Sequence, residues 1–200
     1  MIPETPVGAG PAGRDTERHR SPAQDQGRAP FAVSVPHVLR FLAAALRARA
    51  AVEVGAGAPD SVLWLLRGMA DDGVLTSIDV DATRQRAVRA ALREEGVGSG
   101  RTRLIAGVAT EVLPRLTEGG YDLVSVATPA GDHVRYLELG LRLLRPGGVI
   151  VFSGLQLTAQ HGTAAALAVR ELRHVVEEDT SLVPVALPVG RGLLAVTKQT

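Results

Sequence analysis

Glu53, Gly55, Gly57 and Asp79 are the residues of this chain whose types and spacing suit the binding of a nucleoside. They sit in Ala51-Val52-Glu53-Val54-Gly55-Ala56-Gly57-Ala58-Pro59-Asp60 and in Ser77-Ile78-Asp79-Val80. The first is an apolar run entering a glycine turn; the second is an apolar run ending on a carboxylate. The 26 positions from Glu53 to Asp79 accommodate one strand–helix–strand unit, which brings both tips to the same edge of a parallel sheet. Glycine lets backbone approach a ligand where a Cβ collides. A carboxylate at the second tip can accept hydrogen bonds from both ribose hydroxyls. Asp60 narrows the choice of nucleoside. Counted from Gly55, it stands in the place of the third glycine of Gly-x-Gly-x-x-Gly, where a carboxylate repels a pyrophosphate.

The elements that must position these residues follow from hydrophobic periodicity. Val38, Leu39, Leu42 and Leu46 recur at helical spacing, and residues 51–54 read as a short strand. Asp60-Ser61 is expected to cap a helix through Leu66, and residues 74–79 form strand two. Asp81 caps an arginine-rich helix over 82–95 that Gly96 stops. Leu104-Ile105 marks strand three, and 110–116 a short helix interrupted at Pro114. Strand four is 121–126, followed by an amphipathic helix over 132–144 that Arg145-Pro146-Gly147-Gly148 ends. Strand five is 149–152, a helix covers 163–178, and a hairpin pairs 183–187 with 193–197. The alternation predicts an α/β protein with a parallel sheet covered on both faces. Its closing hairpin adds one antiparallel strand, giving a Rossmann-like seven-stranded sandwich over 31–200. Residues 1–30 carry five prolines and four glycines and few large apolar residues, the composition of a disordered tail.

Composition excludes several functions. The net charge is +1, with 22 basic and 21 acidic residues, which gives no field for capturing nucleic acid or an anionic membrane. All basic residues but Lys198 are arginine, and those in the first 30 residues are matched by acids. There is no cysteine, so disulfides, thiolate metal sites and cysteine nucleophiles are ruled out. No apolar run approaches the roughly 20 residues of a membrane helix, and no signal-peptide pattern opens the sequence. The expectation is a soluble, cytoplasmic protein acting on a small molecule.

A phosphate-free nucleoside with cationic sulfonium and ammonium groups, S-adenosylmethionine, tolerates Asp60 where a dinucleotide does not. The ordered motifs carry the resemblance further. They are Val52-Glu53-Val54-Gly55-Ala56-Gly57 with Ser61-Val62-Leu63-Trp64-Leu65-Leu66, Gly73-Val74-Leu75-Thr76-Ser77-Ile78-Asp79, and Glu111-Val112-Leu113-Pro114-Arg115-Leu116. Tyr121-Asp122-Leu123-Val124 and Leu143-Leu144-Arg145-Pro146-Gly147-Gly148 complete the set. Over about residues 33–198 the chain resembles the class I S-adenosylmethionine-dependent O-methyltransferases of the catechol/caffeoyl-CoA type, in their actinobacterial branch. The resemblance implies that Glu53, Gly55 and Ser61 hold the methionine end of the cofactor, with Ala56 and Gly57 of the glycine turn also binding it. It implies that Asp79 binds the ribose and that Ala109-Thr110 contacts the adenine. Val33-Ser34 falls near the family's cofactor-covering segment, across a loop of different length. Pro59 replaces a usual glycine, which a helix's first turn tolerates. A homodimer is also in keeping with the family.

The same resemblance marks departures. That family uses an aspartate after strand four, an Asp-Asn pair after strand five, and a lysine base to ionise its acceptor through a divalent cation. Here those positions are Ala127, Ser153-Gly154 and Ala130, so no metal is expected. His133 is the candidate general base. The simpler reading makes Asp132 a helix cap and His133 a residue of that helix's exposed first turn. Gln156 and His161 fall in the loop after strand five, His37 and His174 on helix surfaces, and His19 in the tail. Two functions follow from the resemblance. One is a metal-independent methyltransferase acting on oxygen. The other is a catalytically degenerate S-adenosylmethionine-binding protein with a regulatory or interaction role.

Overall fold

Apolar residues alternate along the central strands because successive side chains leave a strand on opposite faces, and each face carries its own core. The computed structural model describes residues 34–55, 59–155 and 163–199. The expected tail, Val33, Ala56, Gly57, Gln156 and His161 lie outside the described residues. The strands are β1 (Ala50–Val54), β2 (Val74–Asp79), β3 (Thr102–Ala106), β4 (Tyr121–Val126), β5 (Leu144–Ser153), β6 (Leu182–Leu187) and β7 (Leu193–Lys198). The helices are α1 (Val35–Ala45), α2 (Pro59–Gly68), α3 (Ala82–Glu94), α4 (Ala109–Val112), α5 (His133–Leu143) and α6 (Ala164–Glu178). One seven-stranded sheet forms in the order β3-β2-β1-β4-β5-β7-β6, with β7 antiparallel to both neighbours. The expected α/β sandwich with its closing hairpin is therefore the observed one.

Ala51, Leu75, Leu123 and Val151 face α1, α2 and α3, packing with Leu39, Leu65 and Val88. Val52, Val124, Ile150 and Phe152 face the other side, where Leu137 of α5 and Leu172 of α6 cover them. These side chains are essentially inaccessible, and each buried Val, Leu, Ile or Phe among them contributes roughly 1.5–3 kcal/mol. Asp122 fixes where β1 begins. Its Oδ2 accepts the Arg49 and Ala50 amides at 2.6 and 2.9 Å, and its Oδ1 takes the Arg145 guanidinium. Burial opposes the charge on Asp122, but the Ala50 amide, the Arg145 guanidinium and the Arg49 amide outweigh it and hold the carboxyl below its usual range.

Several boundaries differ from the sequence reading. The second helix starts at Pro59 and ends at Gly68, so Asp60 lies inside its first turn instead of capping it. Strand five begins at Leu144, directly after α5, because Arg145-Pro146-Gly147-Gly148 is taken into the strand through an irregularity opposite Tyr121 and Leu123. The helix expected at 110–116 is one α-turn, Ala109–Val112, tightening into a 3-10 turn at Leu113–Arg115 around Pro114. Asp81 caps α3 as expected, accepting the Thr83 and Arg84 amides.

Candidate functional site

Strand order reverses between β1 and β4, since β1 continues outward to β2 and β4 to β5. The carboxyl ends of strands part there, which is where open α/β sheets bind ligands. Gly55 sits at this point with φ +76°. Its amide donates to Ile78 O at 2.9 Å. A Cβ on Gly55 would lie 2.8 Å from Thr128 Cγ2 and 2.9 Å from Ala127 O, so both its backbone angle and the loop after β4 demand glycine.

Asp79 closes β2, 4% exposed. Its Oδ1 accepts the Asp81 amide at 2.8 Å, and its main-chain carbonyl accepts the Gly107 amide at 3.0 Å. Oδ2 has no hydrogen-bond partner among the described residues, and the nearest cation is Arg84 at 3.7 Å. A buried carboxylate oxygen left without a donor is costly, and hydroxyls of a bound ligand would satisfy it. Val80 and Val108, at the tips of β2 and β3, are 71% and 46% exposed. The sequence reading missed both. Their signal was an apolar residue one or two positions after each strand end, where turn-forming polar residues are common. Ala109 is buried at the start of α4 and Thr110 is half-buried beside it.

Glu53 lies in the centre of the sheet, 1% exposed. Its register partners are Ser77 on β2 and Ser125 on β4, so three polar residues cross the sheet in one row. Ser77 Oγ donates to Glu53 Oε2 at 3.4 Å, and the Ser61 hydroxyl also bonds this carboxyl. Burial pushes Glu53 up to about 7, against the two serine hydrogen bonds and with a smaller push from Asp79. Glu53, Asp60, Ser61 and Ser125 line a cavity of about 280 Å³ roofed by Val35 and Pro36 of α1. It contains two acids and no cation among its described lining.

A second cavity, of about 390 Å³, opens beyond the tips of β4 and β5 and shares Ala127 and Ser153 with the first. Ala127, Ala130, Ser153 and Gly154, the four positions singled out in the sequence, all line it. Among the described residues no three His, Cys, Asp or Glu side chains group closely enough to hold a metal ion.

His133 is not on an exposed first turn. It is 1% exposed because a 3-10 turn at Ala130–Asp132 precedes α5 and rotates the residue inward. Asp132 makes no capping hydrogen bond with its side chain. His133 Nε2 donates to Thr128 O at 3.0 Å, the ring lies 5.1 Å from Phe152, and Nδ1 has no partner. Burial lowers its pKa, opposed by the Thr128 hydrogen bond and by Asp132. A neutral imidazole tethering the loop after β4 is what this geometry provides. It lines neither cavity. His37 and His174 are on helix surfaces as expected; His37 packs on Trp64 at 4.6 Å.

Comparison with known proteins gives these observations a context. The family profile described as O-methyltransferase matches residues 19–199. A candidate O-methyltransferase of Mycolicibacterium vanbaalenii is 47% identical over 184 residues, spanning 90% of this chain and 81% of that protein. A Corynebacterium glutamicum crystal structure superimposes with a TM-score of 0.76 at 27% identity, over 82% of this chain and 80% of that one. The O-methyltransferase TomG of Streptomyces achromogenes, which takes part in tomaymycin synthesis and was crystallised with S-adenosylmethionine, gives 0.75 at 25% identity. That match covers 82% of this chain and 79% of TomG.

Proposed function

Because the chain belongs to the O-methyltransferase family, we propose that it binds S-adenosylmethionine across the tips of β1, β2 and β3 and methylates an oxygen without a metal ion. The observation that carries this reading is Asp79 Oδ2, buried at a strand tip and lacking a donor. Ribose hydroxyls supply two. The exposed faces of Val80 and Val108 flank the place for an adenine, with the backbone of Ala109 and Thr110 beneath. Glu53, Asp60 and Ser61 form an acidic pocket suited to the ammonium end, and Gly55 keeps the turn open beside them. Ala56 and Gly57 belong to the same turn by sequence. When bound, S-adenosylmethionine contributes a methyl group on a positively charged sulfur.

The acceptor belongs in the second cavity, which meets the first at Ala127 and Ser153. These residues do not fit a divalent cation. Of the four positions only Ser153 carries a side-chain oxygen, and it donates to Val126 O at 3.4 Å, whereas Mg²⁺ and Ca²⁺ want several oxygen ligands. Catalysis then rests on placing the acceptor oxygen in line with the methyl, an effect that positioning alone can make large. His133 serves by holding the Thr128 carbonyl and thus the cavity wall, not by touching the acceptor.

Calorimetry with S-adenosylhomocysteine, followed by transfer assays in EDTA, tests the proposal. Binding with a chelator-resistant turnover is expected. Loss of turnover in EDTA with rescue by Mg²⁺ would overturn the metal-free part, and absent binding would overturn all of it. The four non-ligating positions also favour a second reading, a binding protein without turnover, which tight binding with no transfer to any acceptor would establish.

A further inference from the structure

The two cavities carry opposite charge. The first is lined by Glu53 and Asp60, with no cation among its described lining. The second has a single charged side chain among its described lining, Arg191, and no acid. Arg191 makes no ion pair or hydrogen bond among the described residues, whereas Arg67, Arg135 and Arg173 on the helices are each paired with a glutamate. Its place is fixed by backbone. It lies in the β6–β7 turn between Gly190 and Gly192, whose φ values are +58° and +103°. Gly192 O accepts the Gly154 and Leu155 amides at 3.0 and 3.3 Å, clasping this turn to the tip of β5. Gly192 N donates to Val189 O at 3.0 Å within the turn. On the other side Gly190 packs against Val35, at the start of α1. An unpaired guanidinium held at the mouth of a cavity is a fixed receptor for a planar anion.

Leu155, Val169, Ala165 and Pro129 make most of the rest of the wall apolar, beside the uncharged hydroxyls of Thr128 and Ser153. Helix α6 meets the cavity at its amino-terminal turn, through Ala165, so its dipole adds to the positive sign. A ligand matched to this cavity has a small apolar body and one anionic head, and about 390 Å³ is within the range of small-molecule sites.

The geometry points to a carboxylic acid as the methyl acceptor, with its apolar body against Leu155 and Val169 and its carboxylate paired with Arg191. This inference rests on the methyltransferase reading above. It resolves the chemical problem left by Ala127, Ala130, Ser153 and Gly154, because a carboxyl group with a pKa of about 4 is already ionised at neutral pH. Neither a base nor a metal ion is then needed. A carboxylate oxygen forms a new bond to the methyl carbon as the carbon–sulfur bond breaks, and the electron pair of that bond stays on sulfur. One positive and one negative charge become a neutral thioether and a neutral methyl ester. No proton moves. Arg191 holds one oxygen while the other attacks, and so sets which acceptors enter.

The test uses the full chain with benzoate and phenylacetate as acceptors, catechol and phenol as controls, and tritiated S-adenosylmethionine. Product label is expected to be released as methanol by mild base, as an ester requires and an aryl ether does not allow. Calorimetry of benzoate into protein saturated with S-adenosylhomocysteine supplies a readout independent of turnover. Arg191→Gln is expected to weaken benzoate about tenfold and leave S-adenosylhomocysteine affinity unchanged, while Arg191→Lys restores most of the loss. Base-stable label only, no benzoate or phenylacetate binding, or an Arg191→Gln protein that binds benzoate like the wild type would each overturn the inference while leaving the methyltransferase reading intact. Failure of the wild type to bind S-adenosylhomocysteine overturns both.

Discussion

The β1–β2 half of the sheet's carboxyl edge and the β4–β5 half are built in opposite ways. On the first, buried carboxylates sit at or near the strand tips and are held by serine hydroxyls and main-chain amides. On the second, the tips carry Ala127, Ser153 and Gly154, and charge arrives from elsewhere in the chain, on the Arg191 turn. The difference teaches which half is specified by the strands and which by what folds onto them. On the proposed reading, cofactor binding is written into the strands and their tips. The proposed acceptor choice is written into a turn that must dock before it acts.

The sharpest way to break this contrast is at Asp79. Asp79→Ala removes the proposed acceptor of two ribose hydroxyl bonds, and calorimetry is expected to show S-adenosylhomocysteine binding weakened about 1000-fold, roughly 4 kcal/mol. An unchanged affinity refutes the ribose assignment and with it the asymmetry between the halves.

Glu53 comes next, through pH. Its folded pKa of about 7 lies above the unfolded value of 4.5, so the folded state holds its proton while the unfolded state loses it. Stability therefore falls as pH rises from about 4.5 to 7 and levels off above, by about 3 kcal/mol in full. Glu53→Gln is expected to raise the urea midpoint at pH 8 and leave it unchanged at pH 4. The same carboxyl must ionise to pair with an ammonium, so S-adenosylhomocysteine affinity of the wild type should climb between pH 5.5 and 7.5 and stay flat in the variant. A flat wild-type profile contradicts the acidic-pocket assignment.

Gly55→Ala tests how tightly the halves are joined. With φ +76° and a Cβ 2.9 Å from the Ala127 carbonyl, the substitution is expected to cost about 2 kcal/mol of stability. Thermal melts that match the wild type would mean the β4 loop yields freely. The smallest effect is expected at His133. Its depressed pKa means the unfolded chain binds the proton more readily, so its contribution is present above pH 6.5 and lost as pH falls below it. His133→Phe should reduce acid sensitivity and change S-adenosylhomocysteine affinity by less than about twofold, since the ring lines neither cavity. Abolished transfer with intact binding and stability would instead make His133 the base.

What was legible in the sequence follows the same division. Strand–helix alternation, the Gly55 turn, the Asp79 tip and the Asp81 cap are local patterns, and periodicity reveals such patterns directly. The polar row Ser77–Glu53–Ser125 was hidden because it depends on registry between three strands far apart in the chain. His133 was misplaced because one 3-10 turn before α5 rotates it from solvent to core, and nothing local announces that turn. Strand five was read too short because Pro146-Gly147-Gly148 signals a break that pairing with β4 absorbs as an irregularity. Arg191 carried no signal at all in a turn; only docking of that turn onto Gly154 gives it a cavity to face.

The place of β7 has a consequence for the order in which the protein can be completed. It enters between β5 and β6 although it follows both in sequence. During synthesis, the edge of β5 at residues 149–153 stays unpaired until residues 193–197 have left the ribosome. Until then the nascent sheet offers a bare, apolar strand to neighbouring chains, a known route to misassembly. The same late insertion docks the turn bearing Arg191, so the wall of the second cavity and the protection against aggregation are finished in one step.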